Sequence, residues 1–397
     1  MTVVLLLSCA QVPVVLWTDV AELAPAVEAF NAAQELRVVE LVYVPDIPTR
    51  LRLEPSAPDL VISQFIEDQS TAQMFQPLDG LVRREIGRTQ FYDQLLETGR
   101  RNGRQLLLPV SFNMPLIYFP EPVLPIDRVL TLGSGELRSR AEQFNRGTGE
   151  RWTHLAFSPV WNQQFLYQYF RALGLHPTEN AGGLPGWDPS VVAQGLSEVA
   201  GWIEQTSGSL SLNLDFAERY LYAPELTLVR SQRIAYGYSR SDQFLSLTEE
   251  QRAGLGYRWY AEDGVIEVLE DVVFAAVPQD ARNVPGAQEF LVYLFDESHQ
   301  SAIMEQGLEK QIDWFGIAGG FSSLWRVTER SMELLYPELS GMIPPRRSLS
   351  FPPPSPRHWG SLVEQTIEPW LLREATGMPQ PRNLEAAVRA WLLQQEQ

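Results

Sequence analysis

Cysteine is almost missing from this chain. Cys9 is the one cysteine in 397 residues, which excludes an intramolecular disulfide framework and any thiolate metal cluster. Lysine is as scarce: Lys310 stands alone, so nearly all of the 31 basic residues are arginine. The basic residues are outnumbered by 49 acidic ones, for a formal net charge of −18. A surface of that sign repels phosphate backbones and anionic lipid, which sets nucleic acid and peripheral membrane adhesion aside. No run approaches the roughly 18 apolar residues of a membrane span. No repeat of solenoid period is present. The histidines (His154, His176, His299, His358) are scattered. There is no His-x-x-x-His pair, Gly-x-Ser-x-Gly elbow, phosphate loop or Gly-x-Gly-x-x-Gly turn. These absences point away from an enzyme. Carboxylates are plentiful, however, so an acidic pair of the glycosidase kind stays open at this level.

What is present is globular. Hydrophobic residues make up 45% and charged ones 20%, and the length suggests two or three domains. The stretch Arg104–Phe119 (RQLLLPVSFNMPLIYF) organises the rest. Two apolar runs joined by a proline-flanked polar step read as extended chain passing from one sheet to another. Before it, Val12–Trp17, Arg37–Val44 and Asp59–Ile62 read as strands, with a helical stripe at Leu23, Ala26, Val27 and Phe30. Asp19 and Glu22 have capping-box spacing. After it the strand–helix rhythm restarts. Helices are expected at 136–144, 160–173, around Val192–Ile203 and from Val284. Strands are expected at 154–157, 233–236, 256–260 and 271–277, with 237–241 as a loop. Ile343–Pro356 is proline-rich and reads as a surface strap. Two amphipathic helices, near 359–375 and 383–393, close the chain.

Several segments are similar to the extracellular solute-binding proteins of ABC importers, of the sugar and oligosaccharide type. VVLWTDVAELAPAVEAFNAA resembles their opening strand and helix, and PDLVISQFIED their third strand. FYDQLLETGRRNGRQLLLPVSFNMPLIYF resembles their crossing between lobes, and SQRIAYGYS a strand and loop at their cleft. NVPGAQEFLVYLFDESHQSAIMEQG, close to their Asn-x-x-x-Ala-x-x-Phe-Leu-x-x-Leu helix, is the most specific piece. Two loops depart from the pattern. Ser63-Gln64-Phe65 stands where an aspartate–aromatic pair is common, and the Gly237 loop ends in Ser-Asp instead of tryptophan.

The resemblance implies an α/β chain of two lobes with a ligand cleft between them, hinge closure, no cofactor, and docking to a membrane permease as a monomer. Residues 10–112 with 268–318 would form one lobe, and 113–267 with 319–397 the other. Residues 1–9 would be the remnant of a signal segment. Leu6-Leu7-Ser8-Cys9 resembles a bacterial lipobox, with Cys9 as the lipidated residue of a periplasmic or extracytoplasmic protein. A stray cysteine of the first strand is the alternative.

In open α/β sheets, ligands sit beyond the C-terminal ends of strands. That rule selects Trp17, Thr18 and Asp19, then Ser63 and Phe65, then Phe112 and Asn113. Further along it selects Ser158, Trp161, Tyr238, Ser239, Ser241 and Asp242. Trp314 and Phe315 complete the set, beside the glycines Gly316, Gly319 and Gly320. Aromatic rings to stack on a sugar face, with Asn, Asp and Ser to bind hydroxyls, suit a carbohydrate. Each has a plainer role open to it: Trp17 as core, Asp19 as helix cap, Asn113 as strand end. A polyamine or amino-acid-like solute, with Asp19, Glu67 and Asp242 as countercharges, is the alternative ligand.

Overall fold

The structure is a computed structural model that describes residues 12–34, 38–55, 58–121, 129–148, 151–179, 185–311, 313–380 and 382–395. The chain divides into two compact units. Unit one takes the chain as far as Ser111 and again Val272–Pro337; unit two takes Phe112–Asp271 and the chain from Glu338 onward. Cys9 lies outside the described residues.

Unit one is built on a six-stranded sheet. Its order is Phe321–Ser322, Leu108–Phe112, Val273–Ala276, Leu60–Gln64, Val14–Thr18, Val39–Tyr43. The Val14, Val39 and Leu60 strands are mutually parallel, so their C-terminal ends lie along one edge. Val273–Ala276 runs antiparallel to both neighbours. Leu23, Val27 and Phe30 bury the stripe read from the sequence. The Phe30 ring meets Phe290 and Tyr293 of helix Val284–Leu294 edge-on, each with centroids 5.2 Å apart. Asp59 ties the unit together. One carboxylate oxygen accepts from Val15 N at 3.0 Å, and the other accepts from Arg282 N at 2.8 Å and Asn283 N at 2.7 Å.

Unit two carries a four-stranded sheet in the order Gly237–Arg240, Pro115–Pro120, Leu255–Tyr260, Thr131–Leu132. Helices Gln163–Ala172, Pro189–Ser207 and Leu210–Tyr220 supply much of its core. Phe165 is the hub of that core: its ring contacts Phe157, Tyr169, Trp202, Tyr238 and Tyr260. The proline-rich stretch is a strap within this unit, because Leu349–Ser350 pairs in parallel with Ile266–Glu267. The closing helices then follow, Trp359–Ala375 with a widened π-type turn at Val363–Ile367, and Leu384–Gln395.

Four local expectations are corrected. The strand expected at 154–157 lies instead at Arg151–His154, with Leu155 in an isolated bridge to Ile234. The capping box at Asp19 does not form. Thr18 Oγ1 accepts from Val20 N at 3.0 Å, and a 3-10 turn at Ala21–Leu23 opens the helix instead. The strand expected at 233–236 lies at Gly237–Arg240, the stretch read as a loop. Gly237 permits that register, since a Cβ there would stand 2.2 Å from the Tyr118 ring. The helix expected from 160 begins at Gln163, where the Asn162 side chain accepts from Phe165 N and fixes the start.

Candidate functional site

In unit one, the parallel strands bring Thr18–Asp19, Tyr43–Val44 and Gln64–Phe65 to the same edge. Asp19 is the unusual group there. Its Oδ2 accepts from Ser63 Oγ at 2.7 Å, while Oδ1 is buried with no partner among the described residues. Burial pushes the carboxyl up to about 6, opposed by the Ser63 hydroxyl and by backbone N–H groups at 19 and 64. An orphaned carboxylate oxygen is costly unless something donates to it. Ser63 is fully buried and serves Asp19. Phe65 sits at φ +53°, a strained setting for an aromatic residue, and its ring is half-buried.

Trp17 is 5% exposed and floors a groove of about 660 Å³ beside the edge strand. Tyr43, Thr49, Arg50 and Leu53 form its walls. Tyr43 and Arg50 were not selected by the sequence argument; the strand-end rule applied to the second strand reaches Tyr43, whereas Arg50 lies on the following helix Ile47–Leu53. Trp314 is half-buried in a shallow pocket with Glu22, Pro25, Met304 and Leu308. The turn after it holds Gly316, Ala318 and Gly319 at positive φ, and Ser111 Oγ donates to Ala318 O at 3.1 Å. Gly319 approaches Glu22, which lies in the short turn after Asp19. Phe315 belongs to the core, edge-on to Phe321 and Tyr336.

In unit two, the predicted residues separate into an internal lock and an open set. Ser241 Oγ donates to Asn113 Oδ1 at 2.7 Å and accepts from Met114 N at 3.0 Å. Asp242 forms a bidentate pair with Arg240, which also pairs with Asp271. Burial raises the Asp242 carboxyl, and the Arg240 charge opposes that rise. Ser239 Oγ donates to Arg240 O at 3.2 Å. Phe112 packs on Phe351, and the Tyr238 ring on Phe165. These groups are engaged internally.

Ser158 and Trp161 differ. Ala156 O accepts from both Ala235 N and Tyr236 N, which places the 156–158 stretch alongside the start of the Gly237 strand. There the Ser158 hydroxyl is fully buried and unpartnered among the described residues. Trp161 keeps a half-buried ring, stacked on Phe216 at 5.3 Å, with its Nε1 donating to Asn213 Oδ1 at 3.0 Å. Among the described residues no group of three or more His, Cys, Asp or Glu could hold a metal ion. No helix there is long and apolar enough to cross a membrane.

No protein-family model matches the sequence, and no curated protein matches it. Solved structures do match in fold. The sugar-binding protein MalE of the phytopathogen Xanthomonas citri superposes with a TM-score of 0.67 at 12% identity, covering 97% of this chain and 100% of that one. CpMnBP1 with bound mannotriose gives 0.64 at 13% identity, over 96% and 98%. The maltotriose-bound MalE domain of Bdellovibrio bacteriovorus gives 0.59 at 13%, over 97% and 99%. Across nearly its whole length, then, this chain has the two-lobed α/β fold of the periplasmic binding proteins.

Proposed function

We propose that this protein is the solute-binding component of an ABC importer, capturing a mono- or oligosaccharide and handing it to a membrane permease without chemistry of its own. The observation that carries the reading is the pair of unpartnered buried acceptors, Asp19 Oδ1 just after the first strand of unit one and Ser158 Oγ beside the start of the Gly237 strand of unit two. Each lies a few residues along the chain from a tryptophan, Trp17 and Trp161 respectively. A ligand rich in hydroxyls satisfies both acceptors while its apolar face stacks on the rings. The fold shared with saccharide-bound proteins supports the same choice. Capture works by population shift: the solute favours the conformation in which both units reach it. The protein acts as a monomer outside the cytoplasm, held to the membrane by a lipid on Cys9.

A thermal-shift screen against mono- and oligosaccharides, mannotriose and maltotriose among them, tests the reading. A solute at 100 times its dissociation constant adds about 2.7 kcal/mol of stability. Recovery of the sugar intact separates a receptor from a glycosidase. A cationic solute is the second reading, favoured by one observation: among the described residues no cation stands against Asp19, whose carboxyl is shifted by burial and neutral donors alone. Stabilisation by polyamines and by no sugar, with steep salt dependence, would select it.

A further inference from the structure

Glu225 opens helix Glu225–Arg230 in unit two and is half-buried. Its Oε1 accepts from Tyr238 N at 2.7 Å and from Tyr118 OH at 3.0 Å. Tyr238 lies on the Gly237 strand and Tyr118 on its partner Pro115–Pro120, so one oxygen ties two neighbouring strands. The carboxyl group lies directly against the backbone of Gly237, where a Cβ would stand 2.5 Å from the same oxygen.

Gly237–Arg240 is an outer strand of its sheet, paired on one side with Pro115–Pro120. N–H groups on the other side of such a strand need acceptors from outside the sheet. Glu225 supplies one to Tyr238. Just before the strand, Ala156 O supplies another, accepting from Ala235 N at 2.9 Å and Tyr236 N at 3.1 Å. Leu155 bridges Ile234 in parallel, so the chain leaving Leu155 runs in the same direction as the chain entering the strand, toward the part that Glu225 holds. Ser158 and Trp161 follow at once, joined across a tight turn in which Trp161 N donates to Ser158 O at 3.3 Å.

Asn162 closes the loop of contacts. Its Oδ1 accepts from Phe165 N at 3.1 Å and caps helix Gln163–Ala172, and its side chain also hydrogen-bonds Glu225. With Oδ1 engaged, the amide nitrogen is the group that donates to the carboxyl. Glu225 is therefore bound to the strand beside the Ser158 stretch and to the residue that follows Trp161.

We infer that Glu225 is a positioning residue for the solute: it fixes the edge of the Gly237 strand and the start of helix 163–172, and so holds the Ser158–Trp161 turn in the setting that presents its hydroxyl and ring. Because Glu225 already meets the Tyr238 N–H, hydrogen bonding to the solute falls to the unpartnered Ser158 hydroxyl. This role rests on the proposed contact of Ser158 and Trp161 with the solute.

Two variants of similar size test it. Glu225→Gln keeps an oxygen for Tyr118 and Tyr238 and gives up the bond from Asn162; Glu225→Leu keeps no acceptor. Calorimetric titration with mannotriose and maltotriose reads the solute side. The Trp161 indole N–H resonance, assigned by its loss in Trp161→Phe, reads the turn with no solute present, through the bond from Nε1 to Asn213 Oδ1. Binding is expected to weaken by about threefold in the glutamine variant and by at least about tenfold in the leucine variant. The resonance is expected to move in the leucine variant and to stay near its wild-type position in the glutamine variant. A group that served stability alone would lower the urea midpoint and leave both readouts in place. A folded leucine variant with wild-type affinity and an unmoved resonance therefore overturns the inference. Should neither sugar bind the wild type, the saccharide reading fails on its own, and the resonance alone decides whether Glu225 positions the turn. Should the leucine variant fail to fold, Glu225→Asp, a methylene too short to span both donors, takes its place with the same two outcomes.

Discussion

Asp19→Asn separates a residue kept for folding from one kept for binding. The wild-type carboxyl titrates at about 6 in the folded chain, against an ordinary value of 3.8. The folded state therefore holds its proton more tightly than the unfolded state does. Stability falls as pH rises from about 4 to about 6, and the loss persists above that. At about 1.4 kcal/mol for each pH unit between those two values, the ionised group costs up to about 3 kcal/mol near neutrality. Asparagine cannot ionise and still offers Ser63 an acceptor. The variant should match the wild type in urea denaturation at about pH 4 and exceed it by up to about 3 kcal/mol at about pH 7.5. Calorimetric titration with the solute found by screening should show weaker binding, at least about tenfold if a charge-assisted hydrogen bond is lost. Greater stability with poorer binding is the mark of a group strained for function. A stability difference that ignores pH, or full affinity in the variant, would refute the argument.

Other outcomes follow from the same contacts. Ser158→Ala removes an unpartnered hydroxyl, so urea midpoints should hold or rise by up to about 1 kcal/mol while solute affinity drops. Arg171→Met strands Glu267 and Glu270 in the core and should destabilise unit two by about 3–5 kcal/mol, read by chemical denaturation. Gly237→Ala drives a methyl into the Tyr118 ring and Glu225 Oε1, for an expected loss of about 1–3 kcal/mol. Trp17→Ala and Trp314→Ala should weaken solute binding in a fluorescence or calorimetric titration without unfolding the chain; unchanged affinity in both would remove the tryptophans from the site.

The architecture was legible because strand runs and helical stripes report burial directly. Val14–Thr18, Leu60–Gln64 and the Phe30 stripe fall where short apolar runs and 3.6 spacing put them. The crossing stretch splits between sheets as its prolines suggested: Leu108–Phe112 joins the first sheet and Pro115–Pro120 the second. The site was legible only in part, because position at a strand end does not say which way a side chain turns or what it meets. Asp242 reads like a ligand group until Arg240, two residues earlier, closes on it. Asn113 and Ser241 stand 128 residues apart in sequence, and nothing local announces their bond. Phe112 and Phe315 carry the right chemistry but pack inward.

Two kinds of buried polar atom without a hydrogen bond bear on where a solute would bind. Arg171 Nε and Glu270 Oε1 lack an aligned bond, yet they lie 3.4 Å apart with opposite charge. Their attraction in a poorly screened interior substitutes for geometry, so they need nothing from outside. Asp19 Oδ1 and Ser158 Oγ form no hydrogen bond among the described residues. Leaving each unmet costs about 1–3 kcal/mol, and neither deficit is repaired within its own unit. A deficit of that kind is what an ordered water, an ion or a ligand repairs. Both occur where the chain leaves a strand of its sheet or runs beside the start of one, and both are followed or preceded within a few residues by a tryptophan. That coincidence in two separately built units is better explained by an external donor than by two independent packing faults.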